Sequence, residues 1–140
     1  MDGTNWLALI VAAISTMAVG FVWYNPKVFG SAWMQAVGLT EEDAQKGNMP
    51  MIFGISFVMA FLFAFWFNYF IQAAHPDTLA EFSTFKHGAF HGAFVGVLVA
   101  MPVLATNALF EQKSFKYIAI NVGYWIVCIS IMGGIITAWR

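Results

Sequence analysis

Charge is the scarcest thing in this chain. Only 9% of its residues are charged, against 61% hydrophobic and 18% aromatic over a length of 140. A soluble domain carries roughly a quarter charged residues. A chain this short cannot bury so much apolar surface in one core and still cover itself with polar groups. That excludes a soluble globular domain and a disordered chain. Six Lys and Arg balance seven Asp and Glu, and no run of like charge suits a nucleic acid or other strongly charged partner. Cysteine is nearly absent: Cys128 stands alone, so no disulfide framework exists. The acidic start Met-Asp-Gly-Thr-Asn lacks the basic region of a signal peptide, and the first apolar segment reads as a retained helix. No Gly-x-Ser-x-Gly, His-Glu-x-x-His, phosphate loop or Gly-x-Gly-x-x-Gly is present, so no catalytic motif supports an enzyme.

What remains is an integral membrane protein. Four segments reach the ~20 apolar residues a bilayer span needs, at about 5–24, 50–74, 85–109 and 117–139. They fill most of residues 1–140 as a single membrane domain. The expected fold is all-α, a four-helix transmembrane bundle with a short interfacial helix after the first span. Pro50 suits the first turn of its helix, and Pro102 should kink the third. In the loop at 25–49, Ser31 reads as the cap of a short helix ending at Gly38, with Phe29, Ala32, Trp33, Ala36 and Val37 on its apolar side. Thr40 followed by Glu41, Glu42 and Asp43 reads as a second helical start. Lys27, Lys46, Lys113 and Lys116 against Lys86 and Arg140 favour cytoplasmic first and third loops, with both termini outside.

Small residues recur every four positions. Gly88, Gly92 and Gly96 form a tandem GxxxG, a groove that lets two backbones approach closely. Packing inside the protomer's own bundle is preferred over a dimerisation face. The eight methionines are packing material rather than a copper site.

Polar residues in membrane helices need partners, and helix direction sorts them by side. One side gathers Asn5, Asn68, Gln72, His87 and His91. The other gathers Asn25, Asn107, Glu111, Asn121 and Tyr124, the candidate pocket residues. His87 and His91, at i and i+4, share one helix face, a spacing that can clamp a metal. Zinc wants further ligands, and Asp2, Asp77 and Glu81 are the available acids on that side. The plainer reading puts His87 in the interface and hydrogen-bonds His91 to Asn68 or Gln72. Glu111 reads as an interfacial salt bridge with Lys113 or Lys116. Trp23, Tyr24, Pro26, Phe29, Gly30 and Trp33 form an aromatic turn. It anchors the first span at the headgroups, dips Phe29 and Trp33 back toward the bilayer, and could roof a pocket over Asn107, Asn121 and Tyr124.

The chain resembles the family known as domain of unknown function 1761, small bacterial four-helix membrane proteins. The resemblance lies in Gly20-Phe21-Val22-Trp23-Tyr24-Asn25-Pro26, Phe29-Gly30-x-Ala32-Trp33-Met34 and Gly38-Leu39. It continues in Gly92 and Gly96, then in Asn121-x-Gly123-Tyr124 and Gly133 or Gly134. His87 and His91 match no motif of the family. The resemblance implies a bacterial cytoplasmic membrane and four helices, and no activity. The sequence as a whole points to a non-enzymatic homo-oligomer, in contact with membrane lipids, that binds or passes a small solute, lipid or proton. The alternatives are a metal- or redox-cofactor protein built on His87 and His91, or a structural, lipid-interacting protein. No cofactor and no nucleic-acid partner are expected.

Overall fold

The computed structural model describes residues 4–74 and 83–139. Asp2, Asp77, Glu81 and Arg140, invoked above for metal reach and orientation, lie outside the described residues. Among the described residues, four helices are long and apolar enough to cross a membrane: α1 (Trp6–Trp23), α4 (Met49–Ala74), α5 (Phe85–Phe110) and α6 (Phe115–Ala138). Between the first two lie the short helices α2 (Ser31–Val37) and α3 (Glu41–Gln45). The span ends fall within two residues of those read from hydropathy.

Local chemistry explains the boundaries. The side chains of Asn5, Thr84 and Ser114 accept the N–H groups of Ala8, His87 and Tyr117, capping α1, α5 and α6, which satisfies donors a helix start leaves open. Thr40 and Asp43 cap each other reciprocally at the start of α3, with the acids at the favourable end of the helix dipole. α2 ends at Gly38, whose φ of 78° is left-handed.

The Ser31 cap is corrected. The helical path begins at Asn25, whose side chain accepts the Lys27 N–H, and runs through a π-type turn over Pro26–Gly30. The Gly30 N–H reaches back five residues to the Asn25 carbonyl at 2.9 Å. The Ser31 hydroxyl donates to the Pro26 carbonyl at 3.0 Å and caps nothing. Gly30 is needed there: a Cβ would collide with the Tyr24 carbonyl oxygen.

α5 carries a second π-type turn, Gly96–Ala100, just ahead of Pro102. The Met101 N–H bonds to Gly96, because proline has no N–H and its ring crowds the preceding turn. The sequence places the irregularity at Pro102; the structure places it one turn earlier.

α6 is the most enclosed span and packs on α1, α4 and α5. The core joins Leu9 and Ala12 of α1, Ala64, Phe67 and Ile71 of α4, Val95 of α5, and Ile129, Met132 and Ile136 of α6. α4 buries only a narrow stripe, Ala60, Ala64, Phe67, Asn68 and Ile71. Most of its remaining aromatic surface faces outward, as a lipid-facing helix requires.

Candidate functional site

The ends of the bundle are built differently. One end holds the 25–49 and 111–114 connections. There α1 and α6 interlock through two reciprocal aromatic-on-glycine contacts. A Cβ at Gly20 would stand 3.5 Å from the Tyr124 hydroxyl, and one at Gly123 would stand 3.0 Å from the Trp23 ring. Each glycine gives the opposing ring a flat backbone to rest on. Polar ties reinforce the seam. Trp23 Nε1 donates to the Ile120 carbonyl at 3.0 Å, Tyr24 donates to Asn121 Oδ1 at 2.7 Å, and Tyr124 donates to the Thr16 carbonyl at 2.9 Å. The Tyr24 and Tyr124 rings lie 5.2 Å apart. Phe29 packs on Trp23 at 4.7 Å and Trp33 meets Tyr24 edge-on at 5.5 Å. These two side chains fold back onto the end of α1. Ring stacking and shared burial hold them there.

Beside this seam, α5 and α6 part around a cleft of about 210 Å³. Its polar lining is Asn107 and Glu111 from α5, with Tyr117 and Asn121 from α6. Leu104, Ala108, Ile118 and Val122 supply the apolar walls. The volume is below the ~300–1,000 Å³ of drug-sized pockets, which limits an occupant to a small molecule or head group.

Of the five residues expected to share this pocket, three line it: Asn107, Glu111 and Asn121. Tyr124 and Asn25 do not. Tyr124 turns onto α1, because its hydroxyl needs an acceptor and finds the Thr16 carbonyl. Asn25 is exposed and caps the π-type turn. Tyr117, in the first turn of α6 and not among the expected pocket residues, is part of the lining. Its spacing of four from Asn121 matches that of Asn107 from Glu111. Paired i,i+4 polar residues on adjacent helices were the signal that could have found it. Glu111 has no ion pair among the described residues, whose salt bridges join Lys46 to Glu42 and Asp43. The expected bridge to Lys113 or Lys116 is therefore corrected. Lys113 instead sits over the Tyr117 ring, 5.8 Å from its centroid.

The opposite end is closed. Gly88, Gly92 and Gly96 face α6 so closely that a Cβ on Gly88 would collide with the Gly133 carbonyl oxygen, and one on Gly92 with that of Ile129. At Gly96 it would stand 2.9 Å from the Ile126 Cα. The glycine groove is thus filled from within the chain. His91 Nε2 lies 3.0 Å from His87 Nε2, so one ring donates and the other accepts. This replaces the expected bond of His91 to Asn68 or Gln72. Residues at i and i+4 lie one above the other on a helix face, which brings the two rings together. Asn68 is on the buried stripe of α4, and its Nδ2, like Thr137 Oγ1, is buried with no hydrogen-bond partner. Gln72 is half-buried near the end of α4. Asn5 donates to the Trp139 carbonyl at 2.6 Å, closing α1 against the end of α6. No group of three potential metal ligands occurs among the described residues.

No curated protein and no solved structure matches the chain. A family model does, and it spans the interlocked α1–α6 seam, the glycine-packed α5 and the cleft alike. On that match over residues 7–137, the chain belongs to the family described as protein of unknown function DUF1761.

Proposed function

We propose that this is a non-enzymatic membrane protein that binds a lipid head group or small polar solute in the cleft between α5 and α6. The observation that carries this reading is the cleft itself: four polar residues line a space between two spans that are otherwise apolar. Small-ligand sites pair apolar walls with a few convergent polar groups, and this cleft has both. Nothing in the seam needs those groups for folding except Asn121, which Tyr24 engages.

Binding is favoured over passage through one protomer. The bundle centre is filled by Leu9, Ala12, Ala64, Phe67, Ile129 and Met132. A route for a solute or proton would need a homo-oligomer, built on outward faces such as that of α4. The metal or redox alternative rests on the His87–His91 contact. Two nitrogens of a tetrahedral zinc at ~2.0–2.1 Å would stand about 3.3 Å apart, close to the 3.0 Å separation here. A hydrogen bond accounts for that separation equally well. The proposed location is a bacterial cytoplasmic membrane, with the cleft end on the cytoplasmic side, where Lys27, Lys46, Lys113 and Lys116 lie.

The test is native mass spectrometry of the full chain in mild detergent. A bound lipid or solute is expected on the wild type and should be lost when Ile118→Trp fills the cleft. Wild-type protein that carries nothing, or equal retention by the filled variant, overturns the reading. The same spectra report whether the protein is a monomer or an oligomer.

A further inference from the structure

The cleft's chemistry narrows its occupant. Glu111 supplies the carboxylate, and it has no ion pair among the described residues. It also stands at the C-terminal end of α5, where its N–H is taken up by the Asn107 carbonyl at 3.0 Å. The helix dipole makes that end partially negative, so a carboxylate is disfavoured and a cation favoured there. Charge and dipole thus ask for the same partner. An anion seated deep in the cleft would meet both with the wrong sign.

The form of the cation follows from hydrogen-bond capacity. A primary ammonium brings three N–H donors. The cleft offers acceptors in the Glu111 carboxylate, the Asn107 side-chain carbonyl and the Tyr117 oxygen. A quaternary ammonium has no N–H and is held by aromatic faces. Tyr117 is the aromatic residue in the lining, and Lys113 already lies over its ring. The Asn121 Oδ1 is occupied by the Tyr24 hydroxyl, which leaves its NH2 to donate. That donor, with the partial positive charge of the nearby start of α6, complements an oxygen-rich group following the ammonium. Leu104, Ala108, Ile118 and Val122 can cover the intervening methylenes.

We propose that the α5–α6 cleft selects a primary ammonium linked to a phosphate, the head-group chemistry of an ethanolamine phospholipid or of free phosphoethanolamine. This rests on the cleft being a binding site. The experiment offers the full chain in mild detergent equal amounts of phosphatidylethanolamine and phosphatidylcholine with identical acyl chains. The phosphate and the chains are shared, so only the ammonium differs. Native mass spectrometry should show the ethanolamine lipid retained about fivefold over the choline lipid, the size of one net hydrogen bond that the quaternary ammonium cannot donate. Glu111→Gln keeps the side-chain shape but loses the charge that strengthens the hydrogen bond, and should lower the ratio to about twofold or less while weakening retention of both lipids. A wild-type series of mono- and dimethylated ethanolamine lipids needs no variant, and retention should fall with each methyl.

Equal retention of both lipids by the wild type, or a preference undiminished in Glu111→Gln, overturns the ammonium proposal while leaving the binding reading standing. Retention of neither lipid overturns the ammonium proposal, and the binding reading falls with it if the wild type carries nothing else. Free phosphoethanolamine separates the sources. Displacement of the lipid at millimolar concentration assigns the site to the soluble compound, and no displacement assigns it to the lipid.

Discussion

At one end of the bundle α5 and α6 touch backbone to backbone; at the other they part. The i,i+4 series explains the change. It runs through Gly88, Gly92 and Gly96 and then continues as Ala100, Leu104 and Ala108. Side chains replace bare backbone at the π-type turn before Pro102, and contact between the two helices becomes far sparser. The closed end pays for its packing with two buried polar atoms that have no partner, Asn68 Nδ2 and Thr137 Oγ1. At the open end the polar groups that hold helices together are bonded, and those left over line a cleft. Dense packing thus joins α5 to α6 along the glycines, and looser packing leaves a cleft between them at the other end.

The largest effect should come from closing the gap that glycine leaves. Gly92→Leu puts a side chain where the Ile129 carbonyl stands and should destabilise the bundle by about 3 kcal/mol, read as earlier unfolding in a detergent titration. Gly54→Ala is the contrast. Nothing lies within 4 Å of a Cβ there, and stability should be unchanged or slightly raised. If both variants unfold alike, the two ends do not differ in the way described.

Single hydroxyls then test the polar groups at each end, with opposite signs expected. Tyr24→Phe removes the bond to Asn121 and should cost about 1 kcal/mol, typical of hydrogen bonds between membrane helices. Thr137→Val removes a buried hydroxyl that has no partner and should be neutral or stabilising by up to about 1 kcal/mol. Equal losses in both variants, in the same titration, would show that Thr137 is satisfied after all.

The smallest effect lies outside the cleft, in α3. The hydroxyl and N–H of Thr40, with Lys46, hold the Asp43 carboxyl below its usual pKa of 3.8. A lowered folded-state pKa gives a contribution that is present above the unfolded value and lost as pH falls through the folded one. Hydrogen exchange at Asp43 and Ala44 should therefore lose protection below about pH 4, where unfolded aspartate titrates. The cleft end of α6 should be unaffected over the same range. Asp43→Asn should abolish the pH dependence.

Much of this molecule was legible in order of residues. The spans follow from runs of apolar side chains, the start of α3 from Thr40 and the acids after it, and the helix stop from Gly38, while the caps at Asn5, Thr84 and Ser114 emerge only in the structure. Ser31 was misread because a serine before an apolar run resembles a cap, while the π-type turn that makes a cap unnecessary depends on Gly30 fitting under the Tyr24 carbonyl. Asn107, Glu111 and Asn121 were grouped correctly by membrane side. Tyr124 was grouped with them and is not there, because side of the membrane says nothing of which neighbour a side chain faces. The same limit hid the pairing of Trp23 with Gly123 and of Tyr124 with Gly20, although all four residues stood in the motifs that carry the family resemblance.

By itself, the sequence determined the class, the number of spans and the bareness of one α5 face, because hydropathy and the presence of a Cβ are properties of single residues. Only the tertiary structure decided that α6 fills the glycine groove, that His87 and His91 face each other, and that Glu111 opens onto a cleft instead of a lysine. Those outcomes depend on the rotation and separation of helices, which are set by all their contacts together.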